Sequence, residues 1–381
     1  MRCLGWELKK IFSMPMLWIF LAGCILVNGW MAGSGVSQEE RERLVYRQTV
    51  QEKTGGQMVP DFWESLVKEP PSALREQLLE ETAGAENTLE DLNTAELARL
   101  YLGLYQPGGG LVGLLEKKYA ALQDAVDALG GEGAALSVYA ARDTDRQFQR
   151  LYDGLHAALT ESAFLALLLG IYTMGMERLC RTDSLLLSAK RGRKTALEKG
   201  AAAWIAAAGS YLLFVGFFLA AYGIFWDGTF FWNANVASQF HTVQEAVFTK
   251  PFLTWGSFTL GEYFAAQMGL SLGLLLVFSL MGSAAGLWLK NSYIAFLAVF
   301  VFLFAQFAAP MLLSDAGCWN GYIAATFFPA VLWHTQPLWF TDGGISTVIP
   351  WQESWGICLN LVLWAGIFLL VYRRFRRKDV A

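Results

Sequence analysis

Six nearly continuous runs of apolar residues, separated by polar segments of very different length, dominate the chain. The hydrocarbon core of a bilayer is about 30 Å thick, and a helix needs about 20 residues to cross it. The runs therefore predict six transmembrane helices, at 14–33, 162–176, 200–226, 263–289, 292–313 and 355–372. The second run is short, but an amphipathic pattern from Thr144 onward predicts that its helix begins earlier. Only Lys290 and Asn291 separate the fourth run from the fifth, which predicts a tight helical hairpin.

The lysine and arginine residues of the connecting segments are concentrated on one side of the predicted membrane. Short loops rich in these residues stay in the cytoplasm. With both termini placed inside, the cytoplasmic segments hold 16 basic residues, at 1–13, 177–199, 290–291 and 373–381. The outer loops 227–262 and 314–354 together hold one basic residue, Lys250. The distribution predicts cytoplasmic termini, with an interfacial amphipathic helix over 1–13 and a basic tail over 373–381.

Residues 34–161 form the longest polar segment, which we expect outside the cell. It contains 22 acidic and 12 basic residues and no apolar run long enough to cross a membrane. Its apolar residues recur with helical spacing and without the alternation of a strand. The clearest repeat is Leu111, Leu114, Leu115, Tyr119, Leu122, Val126 and Leu129. We therefore expect an all-α membrane protein in which an extracellular domain of four to six helices separates the first two spans.

Two stretches admit a second interpretation. Residues 323–340 are apolar enough for a seventh span, but two prolines interrupt them and a seventh span would place the basic tail outside. Short re-entrant or interfacial helices across 314–354 are favoured, because irregular backbone at membrane depth is tolerated when protein buries it. The first run could be a cleaved signal peptide ending near Ser34. Its length and the acidic Glu7 argue against cleavage.

The composition excludes an ordinary soluble enzyme. Hydrophobic residues make up 55% of the chain and charged residues 16%, against about 45–50% and about 25% in soluble domains. The chain contains no GxxxxGK[ST], HExxH or GxSxG motif, and its five cysteines show no paired spacing. The histidines His156, His241 and His334 are far apart in sequence. We expect no catalytic residue, cofactor or metal in this chain, and no nucleic-acid partner.

Four uncharged polar residues lie within the predicted spans, namely Asn28, Gln267, Gln306 and Asn360. Hydrogen bonds between helices commonly account for such residues, and we favour that role. A polar lining for a substrate path is the alternative. Apart from residues at the span edges, the spans carry no ionisable side chain. A secondary transporter driven by intramembrane carboxylates is therefore disfavoured.

The cytoplasmic segment 177–199 combines seven basic residues with three consecutive leucines at 185–187. It is too apolar for a loop that only contacts water and too basic for a membrane span. A short helix that docks into a groove of a partner protein is one interpretation. A basic segment resting on anionic lipid head groups is the other. The residue pattern alone favours neither.

Several sequence features together resemble a known family. The amphipathic stretch Trp-Glu-Leu-Lys-Lys-Ile-Phe at 6–12 precedes the first span, and the second span ends at Glu177. Leu-Leu-Ser and Gly-Arg follow, before Lys199 opens the third span. A two-residue loop separates spans four and five, and Tyr-Arg-Arg-Phe-Arg-Arg closes the last. Over its six spans the chain resembles the membrane subunit of type-2 ABC exporters, the ABC-2 permease family.

The resemblance implies roles for these segments. Residues 1–13 would form the connecting helix, and 177–199 would contain a coupling helix seated in a separate ABC ATPase subunit. The expected contacts to that subunit are Glu177, Arg178, Asp183, Leu186, Arg191, Gly192 and Arg193. ATP and Mg²⁺ would bind the ATPase subunit, and a second permease copy or a paralogue would complete the pathway. The cargo would be a peptide, a lipid or an amphiphilic compound, exported across a bacterial cytoplasmic membrane.

The large extracellular domain departs from the compact members of the family and is similar to that of some bacterial relatives. A membrane-anchored sensor or assembly scaffold, whose extracellular helices bind a ligand, is the main alternative function. It would have no ATPase partner. An intramembrane enzyme would need an acid–base or metal pair at one membrane face. The sequence shows no such pair at a suitable spacing.

Overall fold

The computed structural model describes residues 2–35, 37–54, 58, 60–137, 144–182, 188, 192–226, 231–245 and 247–377. Within these ranges the chain is mostly helical. The α-helices are α1 Arg2–Phe12, α2 Pro15–Gly33, α3 Gln38–Thr54, α4 Pro60–Lys68, α5 Ala73–Thr82, α6 Thr94–Tyr105, α7 Gly110–Gly131, α8 Thr144–Leu179, α9 Thr195–Trp226, α10 Leu260–Trp288, α11 Ser292–Asp315, α12 Trp319–Ala325, α13 Pro329–His334 and α14 Gln352–Arg377. Short 3-10 turns lie at Ala134–Leu136, Gly192–Lys194, Phe231–Asn233, Gln336–Leu338 and Gly344–Ser346.

In the described ranges six helices are long and apolar enough to cross a membrane, which confirms that part of the prediction. They are α2, α8, α9 with the turn before it, α10, α11 and α14. Helix α8 begins at Thr144, where the amphipathic pattern predicts it, and its 36 residues correspond to a length of about 54 Å. Because a bilayer core measures about 30 Å, α8 extends well beyond the apolar layer.

We name the two ends of the helix bundle by what they carry. The insert side carries the described part of residues 34–161, here called the insert, together with the described parts of the connections 227–259 and 316–351. The basic side carries α1, the end of α8, the start of α9, the turn between α10 and α11, and the end of α14. Helix α8 runs from one side to the other and therefore belongs to both.

Helices α8 and α10 pack against each other along the centre of the bundle, with α9 beside α8 and α14 beside α10. The contact between α8 and α10 is very close, because glycines lie on both helices. A Cβ atom on Gly170 would lie 2.8 Å from the backbone nitrogen of Ser283, and one on Gly282 would lie 2.5 Å from the carbonyl oxygen of Leu167. Small residues allow membrane helices to approach in this way.

Helix α2 packs against α9 through one face, whose buried residues are Leu17, Leu21, Cys24, Asn28 and Ala32. The indole Nε1 of Trp226, at the end of α9, donates a hydrogen bond of 3.0 Å to the carbonyl oxygen of Ala32. The first apolar run is thus an integral helix of the bundle in this structure.

The two-residue turn between α10 and α11 is stabilised by its own sequence. The side-chain oxygen of Asn291 accepts hydrogen bonds from the backbone nitrogens of Tyr293 (2.8 Å) and Ile294 (3.4 Å). This is the capping contact that asparagine makes before a helix. Beyond the cap, only Ala295 and Gln306 of α11 are buried, so α11 lies at the edge of the bundle.

The insert contains α3 to α7 and the first part of α8. Some of its residues, among them Leu44 and Phe148, join the bundle core, and others form two further apolar clusters. One cluster joins α3, α4 and α5 through Val50, Phe62, Leu66 and Leu78 with Met58. The other joins α6 and α7 to residues of both insert-side connections, among them Leu253, Trp255, Tyr322 and Val348. The larger core of the insert is therefore shared with the segments that link the later spans.

The first insert-side connection contains strands that the residue pattern did not predict, whereas the second contains short helices, as predicted. Strands β1 (Thr242–Gln244) and β2 (Thr249–Pro251) form an antiparallel hairpin in which Thr242 lies opposite Pro251. In the second connection, α12 and α13 are short helices in place of a seventh span. The side chain of Asn360 in α14 donates to the carbonyl oxygen of Phe327 between them, at 2.8 Å.

The substitution Gly282→Ala tests the close contact of α8 and α10. The new Cβ would overlap the backbone of α8, and overpacking of this kind costs about 1–3 kcal/mol. Gly269→Ala is the matched control on α10, because nothing lies within 4 Å of its Cβ position. We expect a lower unfolding midpoint for Gly282→Ala alone, measured on detergent-solubilised protein. Equal midpoints for the two variants would contradict the described contact.

Candidate functional site

The last turn of α8 on the basic side is bonded to three other helices. The Glu177 carboxylate accepts a hydrogen bond from Lys199 Nζ near the start of α9, and the Lys10 ammonium of α1 lies 3.8 Å from it. The Lys199 side chain is buried. Glu177 therefore carries a charge that is neutralised by two helices other than its own.

Arg178 connects the same turn of α8 to the end of α10. Its guanidinium donates hydrogen bonds to the carbonyl oxygens of Leu289 (2.8 Å) and Gly286. These carbonyls lie at a helix C-terminus, where backbone oxygens lack partners and a positive charge is stabilised. Consecutive residues of α8 thus bond to different neighbours, Glu177 to α1 and α9 and Arg178 to α10.

The rest of the predicted coupling segment is described in part. Gly192 is buried at the start of the turn before α9, and Arg193 donates a hydrogen bond of 2.6 Å to the carbonyl oxygen of Arg376 in α14. Asp183, Leu186 and Arg191 lie outside the described residues. The structure therefore places Glu177, Arg178 and Arg193 at the ends of bundle helices, on either side of the segment in which the other three lie.

This arrangement couples the end of α8 mechanically to three neighbouring helices. A displacement of the end of α8 would act directly on α1, α9 and α10 through an ion pair and charge-assisted hydrogen bonds. Such bonds are roughly twice as strong as those between neutral groups. Because α8 is a continuous helix that extends into the insert, the same displacement would also move residues on the opposite side of the bundle.

The polar residues of the spans bond to neighbouring elements at separate places. Asn28 donates to a Glu161 carboxylate oxygen of α8 and to the carbonyl oxygen of Cys24, each at 2.8 Å. The amides of Gln267 and Gln336 bond to each other at 2.9 Å, and Gln336 also lies 3.2 Å from His156 Nδ1.

Gln306 and Asn360 make contacts with the segment that contains α12 and α13. The side-chain oxygen of Gln306 accepts from the backbone nitrogen of Ala330 at 3.4 Å. Asn360 bonds to the carbonyl oxygen of Phe327, as described above, and to that of Gly356 at 2.7 Å. Each of the four predicted polar residues therefore makes a hydrogen bond to another element of the chain. Each of them holds an element of the bundle in place.

On the insert side a cluster of buried charges joins three segments that are distant in sequence. The Lys250 ammonium of β2 contacts both carboxylate oxygens of Asp342 at 2.6 Å, and each side chain is almost inaccessible to water. Glu245 lies 3.5 Å from the same ammonium and accepts a hydrogen bond of 2.7 Å from the Tyr101 hydroxyl of α6. The cluster thus links the insert to both insert-side connections.

A second lysine of this cluster comes from α7. The Lys118 ammonium donates to the carbonyl oxygens of Asp342 (2.6 Å), Gly344 (2.6 Å) and Thr347 (2.9 Å). Tyr119 donates from its hydroxyl to a carboxylate oxygen of Asp342 at 3.3 Å. Three carbonyl acceptors match the three protons of an ammonium group. Lys118 therefore fastens α7 to the backbone of the second connection.

The burial of these groups changes their proton affinities. Burial lowers the pKa of Lys118 to about 7, although the nearby carboxylate of Asp342 opposes the shift. Burial also raises the pKa of Tyr101 and of Tyr119. Both phenols therefore remain neutral donors to the acidic residues beside them.

The pattern of apolar positions did not identify this cluster, although one signal was present. Lys118 lies on the apolar stripe of α7, three residues after Leu115 and four before Leu122. A lysine at such a position is buried with its helix face and requires acceptors. Its partners lie more than 200 residues later, so the sequence could not name them.

No protein-family model, no curated protein and no solved structure matches the chain. In the described part of the chain, no group of three His, Cys, Asp or Glu residues is placed to hold a metal ion.

The substitution Lys199→Met tests the ion pair on the basic side. It leaves the Glu177 carboxylate partly buried without its closest cation, and breaking a buried pair in this way costs about 3–5 kcal/mol. Lys194→Met removes an exposed lysine five residues away and is the control. We expect a clearly lower unfolding midpoint for Lys199→Met and little change for the control. Similar midpoints would show that the pair contributes nothing to stability.

The cluster on the insert side predicts a pH dependence. An unfolded lysine has a pKa of about 10.4, whereas that of folded Lys118 is about 7. Between these values the unfolded state binds more protons, so this group makes stability rise with pH. We expect Lys118→Met to reduce the rise in unfolding midpoint from about pH 7 to about pH 10, and the exposed control Lys117→Met to keep it. Parallel curves for wild type and Lys118→Met would contradict the assignment.

Proposed function

We propose that the chain is the membrane subunit of an ATP-driven exporter of the ABC-2 type, acting on a peptide, a lipid or an amphiphilic compound. The observation that supports this most is the bonding at the end of α8, where Glu177 and Arg178 connect to α1, α9 and α10. A separate ATPase subunit would supply the energy, with ATP and Mg²⁺ bound there. A second copy of the chain or a paralogue would complete the transport pathway.

The basic side is the part of the molecule suited to an ATPase partner. The end of α8 leads directly into the segment predicted to contain the coupling helix, and Arg193 at its far end bonds to α14. Movement of a partner against this segment would shift α8 and the start of α9 together. Asp183, Leu186, Arg191 and Gly192 are the further contacts that the sequence predicts.

The insert side would respond to the same movement. Helix α8 is continuous for 36 residues, and residues at its insert end pack into the bundle core beside α10. The Lys118 cluster joins the insert to the connections that lead to α10 and α14. Changes at the basic side could therefore open and close an outer gate, as alternating access requires.

The proposed orientation follows the distribution of basic residues. The basic side would face the cytoplasm with both termini, and the insert would lie outside a bacterial cytoplasmic membrane. The chain itself would act by conformational change, without catalysis. The alternative is a membrane-anchored sensor or scaffold, which would lack an ATPase partner.

The direct test is affinity purification of the tagged full-length chain from its native membrane in mild detergent, with mass spectrometry of the proteins that copurify. We expect a soluble chain with a P-loop motif. The double substitution Leu186→Glu and Arg193→Glu should reduce recovery of this P-loop chain at least tenfold. It replaces one apolar and one basic residue of the predicted contact with acidic residues. Arg99→Glu, an exposed charge reversal in the insert, should leave recovery unchanged.

Two results would contradict the proposal. The first is the absence of any P-loop chain under conditions that preserve other transporter complexes. The second is equal recovery from wild type and from the double variant, which would exclude the 177–199 segment as the contact. The first result would favour the sensor or scaffold.

A further inference from the structure

A narrow apolar groove lies between α8, α10, α11 and α13. Its volume is about 380 Å³. The wall formed by α11 consists of residues on one helical face, with Phe296, Phe300, Leu303, Phe304 and Phe307 among them. Phe164 of α8 and Phe278 of α10 belong to the opposite wall.

The groove separates part of α11 from α8 and α10, while Phe302 on another face of α11 packs against Trp364 of α14, with ring centroids 6.0 Å apart. At one end the rings of Phe164 and Phe296 meet edge to face, with centroids 5.8 Å apart. At the other end Gln306 accepts a hydrogen bond from the backbone of Ala330. Between these contacts Phe300 and Phe304 remain 55% and 65% exposed. The gap is thus bounded by two fixed contacts.

The length of the groove corresponds to one leaflet of a bilayer. From Phe296 to Phe307 the helix rises by about 16 Å, which is about half of the 30 Å hydrocarbon core. A volume of about 380 Å³ lies at the lower end of the range of about 300–1,000 Å³ found for small-molecule clefts, whereas a helix is about 10 Å across. The groove therefore suits a single hydrocarbon chain better than a helix of a second protein.

One end of the groove is polar and lies at the depth expected for lipid head groups. Thr160 is 17 residues before Glu177 in α8, so it lies about 25 Å from the basic side. Its hydroxyl accepts a hydrogen bond of 2.9 Å from the Trp333 indole. The exposed His334 lies edge-on to Phe307, with ring centroids 5.0 Å apart. Tryptophan and other amphipathic rings collect at the boundary between lipid and water.

We propose that this groove binds one acyl chain of a membrane lipid from the insert-side leaflet, with the lipid's polar head group beside Trp333 and His334. Ligand sites are typically apolar clefts with a few polar groups at fixed places, and this groove has both parts. The proposal concerns the chain alone and does not depend on an ATPase partner.

The experiment uses the full-length protein in mixed micelles of detergent and phosphatidylcholine, in which the amount of lipid can be varied. A trace of phosphatidylcholine with a diazirine in the middle of one acyl chain is photoactivated, and the labelled residues are mapped by mass spectrometry. We expect labelling of Phe300 and Phe304 that falls at least fivefold when unlabelled lipid of the same type competes in detergent–lipid mixtures. Labelling of Val301, which is 57% exposed but does not line the groove, should show no such saturation.

Two variants sharpen the assignment. Leu303→Trp would fill the groove and should lower labelling of Phe300 and Phe304 at least fivefold. Val301→Trp adds the same ring outside the groove and should leave that labelling unchanged. Saturation in the wild-type protein is independent of whether either variant folds.

Three outcomes would overturn the proposal. Labelling spread evenly around α11 would show that the lipid contacts a surface without a site. Protection of the groove from every lipid probe, together with crosslinks between two copies at α11, would identify a second copy as the occupant. Labelling of the groove that does not saturate would exclude specific binding. Since no ATPase subunit is present in the experiment, each outcome leaves the proposed transport function to its own test.

Discussion

The close backbone contact between α8 and α10 is the constraint on which the arrangement of the bundle depends. Apolar side chains gain little by leaving lipid for protein, so membrane helices associate through tight packing and hydrogen bonds. Gly170 and Gly282 allow the two backbones to meet. With this pair fixed, α9 and α2 assemble on one flank and α14 on the other. Helix α11 remains at the edge, which is why a groove lies behind it.

Charged groups connect parts of the protein at both ends of the bundle, but the two sets differ in their accessibility to water and in what they connect. On the basic side, Glu177 and Arg178 connect the end of one helix to neighbouring helices, and Glu177 is still partly accessible to water. On the insert side, Lys118, Lys250 and Asp342 are enclosed and connect whole segments. Removing one member of an enclosed group leaves an uncompensated charge. Substitution of a charged residue is therefore tolerated less well on the insert side than on the basic side.

The sequence predicted those elements that are specified by a local residue pattern. The apolar runs identified the six membrane-length helices, the amphipathic pattern placed the start of α8 at Thr144, and the short connection indicated the turn capped by Asn291. The β hairpin was missed because its strands have only three residues each. The charged cluster and the groove depend on contacts between distant segments, and periodicity along the chain contains no information about them. Asp183, a predicted contact residue, lies outside the residues described.

The shared core of the insert has a consequence for how the protein is made. Lys118 precedes its carbonyl partner Asp342 by 224 residues. At about 5–20 residues per second, the ribosome needs about 10–45 s to synthesise that stretch. During this interval α7 has already been synthesised, while the segment that completes its core has not. The insert can therefore reach its final packing only after α11 has been synthesised, so its folding and the insertion of the later spans form a single ordered process.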